Sequence, residues 1–140
     1  AAQSPIPVGR RNPAQDFRTV MKLGQEMLGR GRSVVIFPQA TRMLIFDSDQ
    51  FNTMGVKLAR AAGVPLMPVA VKTDFWRLGP LLRDLGPIHR RRDVRIHFGR
   101  PLTDLHDPRN AHDQVIALIQ AKLREWGMAV AETEKRDRDR

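Results

Sequence analysis

Short apolar runs alternate along this chain with longer segments in which apolar residues recur at helical spacing. A run of four to eight apolar residues fits a strand, whereas apolar residues three and four positions apart mark one face of a helix. The alternation predicts an α/β fold, a single domain with helices flanking a largely parallel or mixed central sheet. The predicted strands are residues 34–37, 64–71 and 94–98, and the predicted helices are 13–28, 51–62 and 107–126.

Each predicted helix carries a local start or stop signal. Asn12 and Pro13 supply an N-cap followed by a proline at the first helical position, and Asp107 and Pro108 repeat this pattern. Gly63 stands where a glycine commonly ends a helix. These signals place the helix boundaries independently of the apolar spacing.

The three predicted strands differ in their patterns. Residues 34–37 are continuously apolar after Ser33, which predicts a strand buried on both faces. Residues 64–71 contain Pro65 and Pro68, which cannot donate to a sheet, so we place Pro65 at the start of the strand and Pro68 at an edge or bulge. Residues 94–98 alternate between apolar and polar, which predicts one face toward water.

The totals limit the organisation and the partners. A chain of 140 residues fits one domain, which we expect over residues 1–131, followed by a charged disordered tail over 132–140. The net charge of +9 predicts an anionic partner. There is no cysteine, so disulfides and thiolate chemistry are excluded. Neither a membrane-spanning run nor a leader peptide is predicted, and the first residue, Ala1, suggests a processed or incomplete chain.

The sequence FPQATR, residues 37–42, leaves the first predicted strand at its carboxyl end. In open α/β sheets ligands bind at this edge. Gln39 and Thr41 offer neutral hydrogen bonds, and Arg42 offers a planar cation that matches two phosphate oxygens. These residue types predict an anion site. The alternative, a surface arginine that follows a turn, stays open on residue types alone.

FPQATR resembles the FPEGTR signature of the PlsC-like glycerophospholipid acyltransferase family. Two further blocks occur in the family's order: IPVGRRN at residues 6–12 and AGVPLMPVAV at 62–71, with residues 51–55 similar to its F..G segment. The resemblance is strongest over residues 6–75, part of an acyltransferase domain. Gln39 replaces the family's glutamate and Ala40 its glycine, so the carboxylate is lost and a positive φ is disfavoured.

The resemblance implies a substrate site and a reaction. Arg10, Gln39, Thr41 and Arg42 would bind the phosphate of the acceptor. An acyl group would move from acyl-CoA or acyl-ACP to the hydroxyl of lysophosphatidic acid or another lysophospholipid, in phospholipid biosynthesis. No bound cofactor and no metal are expected. The protein would lie at the cytoplasmic face of a membrane, either in peripheral contact with its anionic surface or anchored by an N-terminal segment missing from these residues.

The catalytic HxxxxD motif of that family is missing from these 140 residues. The fifth residue after each histidine is Val94, Leu102, Ala111 or Ala117, and none is aspartate. We therefore expect no catalytic residue in this chain, which would be the C-terminal part of an acyltransferase and inactive alone. Two alternatives remain: a noncatalytic lipid-binding relative, and a basic nucleic-acid-binding α/β module, for which an aromatic fraction of 6% offers few stacking partners.

Other polar positions have simpler interpretations. Lys72 is a weaker candidate for anion contact, and His97 has no catalytic partner pattern around it. The histidines and aspartates at residues 106–113 invite a metal interpretation, but Asp107 is better used as an N-cap. Residues 75–85 and the arginines at 90–92 would suit a membrane interface or, equally, a connecting segment.

Overall fold

Three helices form the largest elements of the computed structural model, which describes residues 5–9, 11–39, 45–73, 91 and 93–131. The tail at 132–140, the segment at 75–85 and the arginines at 90 and 92 lie outside the described residues. None of the described helices is both long and apolar enough to cross a bilayer. The helices are α1 (Pro13–Gly29), α2 (Met54–Ala62) and α3 (Pro108–Glu125).

The predicted caps are confirmed. The Asn12 side chain accepts a hydrogen bond of 3.1 Å from the backbone N–H of Gln15, and thus satisfies one of the unpaired donors at the start of α1. Asp107 likewise accepts from the first turn of α3. Gly63 ends α2 with a φ of 64°, in the left-handed region that glycine tolerates without strain. The start of α2 is corrected, because this helix begins at Met54 and not at residue 51 as predicted.

Four short strands in the described part of the chain pair in two ways. β2 (Val69–Lys72) and β3 (Arg95–Phe98) are antiparallel, whereas β1 (Ile45–Phe46) and β4 (Ala129–Val130) are parallel. The described pairing is therefore mixed, and with the helices it confirms the α/β class. The two-residue strands β1 and β4 were not predicted.

The predicted strand at residues 34–37 is wrong. Residues 32–38 form no regular element, and the side chains of Val35 and Phe37 are 78% and 79% exposed instead of buried. The residue types favour a strand, but a strand exists only when a neighbour pairs with it, and no described residue does so here. Pro38 therefore does not end a sheet ladder, because residues 32–38 form no strand.

The predicted strand at residues 64–71 is confirmed only in its second half. Leu66 makes an isolated bridge to Leu102, with N–H···O distances of 3.0 and 2.8 Å in the two directions. β2 begins after Pro68, whose carbonyl accepts a hydrogen bond of 2.9 Å from Gly99. Pro68 has no N–H of its own, so it stands where the ladder needs only its acceptor.

The more exposed face of β3 is its apolar face, which the alternating pattern did not predict. Ile96 and Phe98 are 56% and 65% exposed, whereas His97 between them is half-buried. His97 lies opposite Ala70, a fully buried residue that packs against α3, and residues directly opposite in an antiparallel pair share a face. Within the described part of the chain, the apolar face of β3 is thus the open one.

The hydrophobic core lies mainly between α3 and the strands. Its first cluster joins the buried stripe of α3 to one residue each of β1 and β2, Phe46 and Ala70. A second cluster joins α2 to the start of α3. The predicted stripe of α3 is confirmed, with Ile116 and Trp126 packed at its margin. The buried members of the predicted stripe are Val115, Ile119 and Leu123.

Candidate functional site

Only one of the four predicted phosphate-binding residues is described. Gln39 is half-buried, at a bend that directly follows Pro38. Arg10, Thr41 and Arg42 lie outside the described residues. Their roles stay predictions, and the structure shows instead how the chain on either side of them is held.

The upstream block is folded onto the start of α1. The N–H of Gly9 donates to the Asp16 carboxylate at 2.8 Å, seven residues further along the chain. Asn12 caps the same helix from the other side of position 10. Gly9 and Asn12, which lie on either side of Arg10 in the sequence, are therefore both tied to the first turn of α1. Asp16 also places its negative charge near the N-terminus of the helix, where it is favourable.

The FPQATR block is tied at its beginning to the start of α2. The Pro38 carbonyl accepts two hydrogen bonds from Asn52, one of 2.7 Å from the side-chain amide and one of 3.3 Å from the backbone N–H. The Asn52 side-chain oxygen in turn accepts from the N–H of Met54 at 3.0 Å. Thr53 occupies the N-cap position but makes no side-chain cap bond. Asn52 therefore both caps α2 and holds the backbone that leads into Gln39.

The chain that follows the block is tied to the end of the domain. β1 pairs with β4, and the N–H of Ala131 extends this ladder to the Phe46 carbonyl at 2.8 Å. The Phe46 ring lies 5.7 Å from the Phe51 ring, centroid to centroid, in a tilted arrangement. Backbone and side chain thus both hold Phe46 in the core.

Packing of α1 on α2 links the two blocks. Gly24 faces Leu58, so closely that a β-carbon at position 24 would lie 2.7 Å from a Leu58 methyl carbon. Nearer the start of α1, the Lys57 ammonium lies 5.6 Å above the centroid of the Phe17 ring, within the range of a cation–π interaction. Since each block is tied to the start of one of these helices, their packing limits how far the two blocks can move apart.

Lys72 joins two elements of the fold. Its ammonium donates a hydrogen bond of 3.2 Å to the Trp126 carbonyl just beyond α3, in a partly buried position. Helix C-terminal carbonyls carry partial negative charge, so a cation is favourable there. Among the described contacts of Lys72, this one supports a role in joining β2 to α3.

One ionisable group near the same end of α3 has a shifted pKa. The pKa of Glu125 lies below its usual range, first because Lys122 donates a hydrogen bond of 2.7 Å to its carboxylate and then because the lysine's charge favours the ionised form. The pair is exposed and one helical turn apart, an arrangement that stabilises helices only weakly.

The polar cluster at residues 106–113 forms a helix start. Asp107 accepts from the N–H groups of Arg109 and Asn110 at 2.9 and 3.2 Å, which confirms its use as an N-cap. The His112 ring lies 5.9 Å from the Phe51 ring, and its Nδ1 is buried with no hydrogen-bond partner among the described residues. Within those residues, no three acidic or histidine side chains are grouped as a metal ion would require.

Sequence reasoning missed Asn52 and Asp16. Asn52 lies inside the F..G segment, and an asparagine two residues before a helix is a known sequence signal for a local side-chain-to-backbone bond. Its bond to Pro38 spans 14 positions and was not predictable from local pattern. The bond from Gly9 to Asp16 likewise depends on how the chain turns before α1.

Comparisons with known proteins agree with the family resemblance. A family model described as Acyltransferase matches residues 4–72. The 1-acyl-sn-glycerol-3-phosphate acyltransferase of Pseudomonas aeruginosa (strain PAO1) is 36% identical over 77 residues, which are 54% of this chain and 30% of that relative. Both matches support the resemblance of this chain to the acyltransferase family. The aligned part spans less than a third of the relative's length. No solved structure matches the chain.

The family match bears on the expected cofactor and on the predicted site. Acyltransferases of this family use no cofactor. The matched range, 4–72, includes all four residues predicted to bind phosphate, and also Asp16 and Asn52, which hold the chain beside them.

Proposed function

We propose that this chain binds the phosphate of a lysophospholipid acceptor in a glycerolipid acyltransferase of phospholipid biosynthesis. The observation that carries the proposal is that the family match covers residues 4–72, and so includes the FPQATR and IPVGRRN blocks in order. The Pseudomonas aeruginosa relative is named for an acceptor with a glycerol phosphate, the group that the predicted site would bind. Lysophosphatidic acid is therefore the first acceptor to test.

In the proposed reaction, the acceptor hydroxyl attacks the carbonyl carbon of an acyl thioester, either acyl-CoA or acyl-ACP. The new C–O ester bond forms, the C–S bond breaks, and the thiol leaves with the proton from the hydroxyl. None of the four histidines begins an HxxxxD motif, so we assign no residue of this chain to that proton transfer, and we expect the 140 residues alone to be inactive.

The proposed role of the four site residues is to bind and orient. Arg10 and Arg42 would supply charge-assisted hydrogen bonds to the phosphate, while Gln39 and Thr41 would add neutral ones. Without the family's carboxylate at position 39, the site is less negative and so favours a dianionic headgroup. The net charge of +9 supports peripheral contact with an anionic membrane on its cytoplasmic face, where the acceptor would be found.

Binding of vesicles tests this proposal directly. We expect the chain to bind phosphatidylcholine vesicles doped with lysophosphatidic acid more tightly than vesicles doped to equal charge with phosphatidylglycerol. Arg42→Ala should weaken the lysophosphatidic acid preference by about 2 to 4 kcal/mol if Arg42 pairs with the phosphate. Arg60→Ala removes the same charge from an exposed position of α2 and is the matched control.

The outcomes separate site binding from general attraction. Equal binding to both kinds of vesicle, or equal losses for Arg42→Ala and Arg60→Ala, would show that only the net charge attracts the chain to lipid. Tight, salt-sensitive binding of a mixed-sequence oligonucleotide with no lipid preference would instead support the nucleic-acid alternative.

A further inference from the structure

Asn52 makes three hydrogen bonds that join two separate parts of the chain. Its N–H and its side-chain amide both donate to the Pro38 carbonyl, at 3.3 and 2.7 Å, and its side-chain oxygen accepts from Met54 at 3.0 Å. The side chain is thus used at both ends, as a donor toward Pro38 and as an acceptor toward α2. No other amino acid has this combination at the same length.

The two partners of Asn52 differ in what they need. α2 needs an oxygen acceptor for a free N–H of its first turn, since Thr53 supplies none. The Pro38 carbonyl accepts from both the backbone N–H and the side-chain amide of Asn52, since residues 32–38 form no ladder that would supply another donor. Aspartate can serve the helix but cannot donate to the carbonyl.

We infer that Asn52 is a positioning residue for acceptor binding: it fixes the direction in which the chain leaves Pro38 and thereby places Gln39 at the phosphate. This inference rests on the proposed function. It adds to that function a residue outside the FPQATR block, which acts through the backbone of Pro38 and touches no substrate itself.

The variant Asn52→Asp separates positioning from folding. It keeps the acceptor for Met54, and a negative charge is favourable at a helix N-terminus, so the urea midpoint should stay near that of the unaltered chain. It loses the side-chain donor and sets an oxygen against the Pro38 carbonyl. We expect faster hydrogen exchange at the amide of position 52, and binding to lysophosphatidic acid vesicles about fivefold weaker, as befits one lost hydrogen bond.

Thr53→Ala is the matched control. Thr53 is the next residue and its side chain makes no cap bond, so exchange at position 52 and vesicle binding should both stay unchanged. Asn52→Ala serves as a second variant that removes donor and acceptor together. It should weaken binding as much as Asn52→Asp does and should also lower the urea midpoint.

Each result decides between distinct conclusions. Faster exchange in Asn52→Asp with unchanged binding would refute the positioning role and leave the proposed function intact. Unchanged exchange would refute the bond to Pro38 itself. Failure of the unaltered chain to prefer lysophosphatidic acid over phosphatidylglycerol vesicles would refute the proposed function, and with it the role of Asn52, whatever the exchange rates are.

Discussion

Substituting alanine for Gly24 tests the packing of α1 on α2, on which the relative placement of the two blocks depends. A glycine in a helix interior destabilises the helix by about 1 kcal/mol relative to alanine. At position 24, however, the new β-carbon would lie 2.7, 3.0 and 3.4 Å from three carbons of Leu58, whose side chain is only 2% exposed. Overpacking of this kind costs about 1 to 3 kcal/mol.

The two effects oppose each other, and the steric one should prevail. We expect Gly24→Ala to lower the free energy of unfolding by roughly 0 to 2 kcal/mol. Gly29→Ala, at the end of the same helix, meets no atom within 4 Å and gains only the helix term, so it should be neutral to stabilising. The difference between the two variants isolates the contact with Leu58.

Urea unfolding followed by circular dichroism measures both variants. A double-mutant cycle with Leu58→Ala adds a second test, because the truncated side chain removes the clash and the coupling should be favourable by about 0.5 to 3 kcal/mol. If Gly24→Ala stabilises the chain as much as Gly29→Ala, α1 does not pack closely on Leu58, and the packing of α1 on α2 does not hold the two blocks together.

Two further predictions concern the other end of the domain. Gly99→Ala should destabilise the chain by about 1 to 3 kcal/mol in the same urea assay, since its β-carbon would lie 2.5 Å from a Leu118 methyl carbon and 3.0 Å from the rigid Pro68 ring; an unchanged midpoint would contradict this packing. Glu125 should titrate by NMR below the glutamates of an unfolded peptide, and Lys122→Met should return it to their range. Because the folded-state pKa is lowered, any stabilisation by the pair is present above the unfolded pKa and is lost as the pH falls through the folded one.

The helices were predictable from sequence because their signals are local. Asn12 and Asp107 act within three residues of themselves, and the stripe of α3 repeats within one segment. The strand at residues 34–37 was mispredicted because a strand depends on a partner that its own residues do not specify. β1 and β4 are too short for any periodicity, and their pairing joins positions more than 80 residues apart.

The candidate site divides in the same way. The residue types that could bind phosphate were visible in FPQATR, since arginine after a proline-terminated apolar run is a chemical signal in the letters themselves. The contacts that hold the chain beside these residues were not predictable from the sequence. Asp16 and Asn52 bind backbone groups of Gly9 and Pro38. Because nearly every residue carries the same backbone groups, the residue types do not reveal which of them is bound.

The part of the chain beyond residue 72 packs against the residues that the family model matches and helps to hold them in place. The matched range ends at residue 72, yet Ala70 is buried in a cluster with α3 side chains, and Phe46 is held by a ladder to β4. Lys72 adds a polar tie from the last matched residue to the end of α3. Ile45 and Phe46, the first described residues after FPQATR, are thus paired with a segment more than 80 positions later, so differences in β4 between relatives can change how this strand is held.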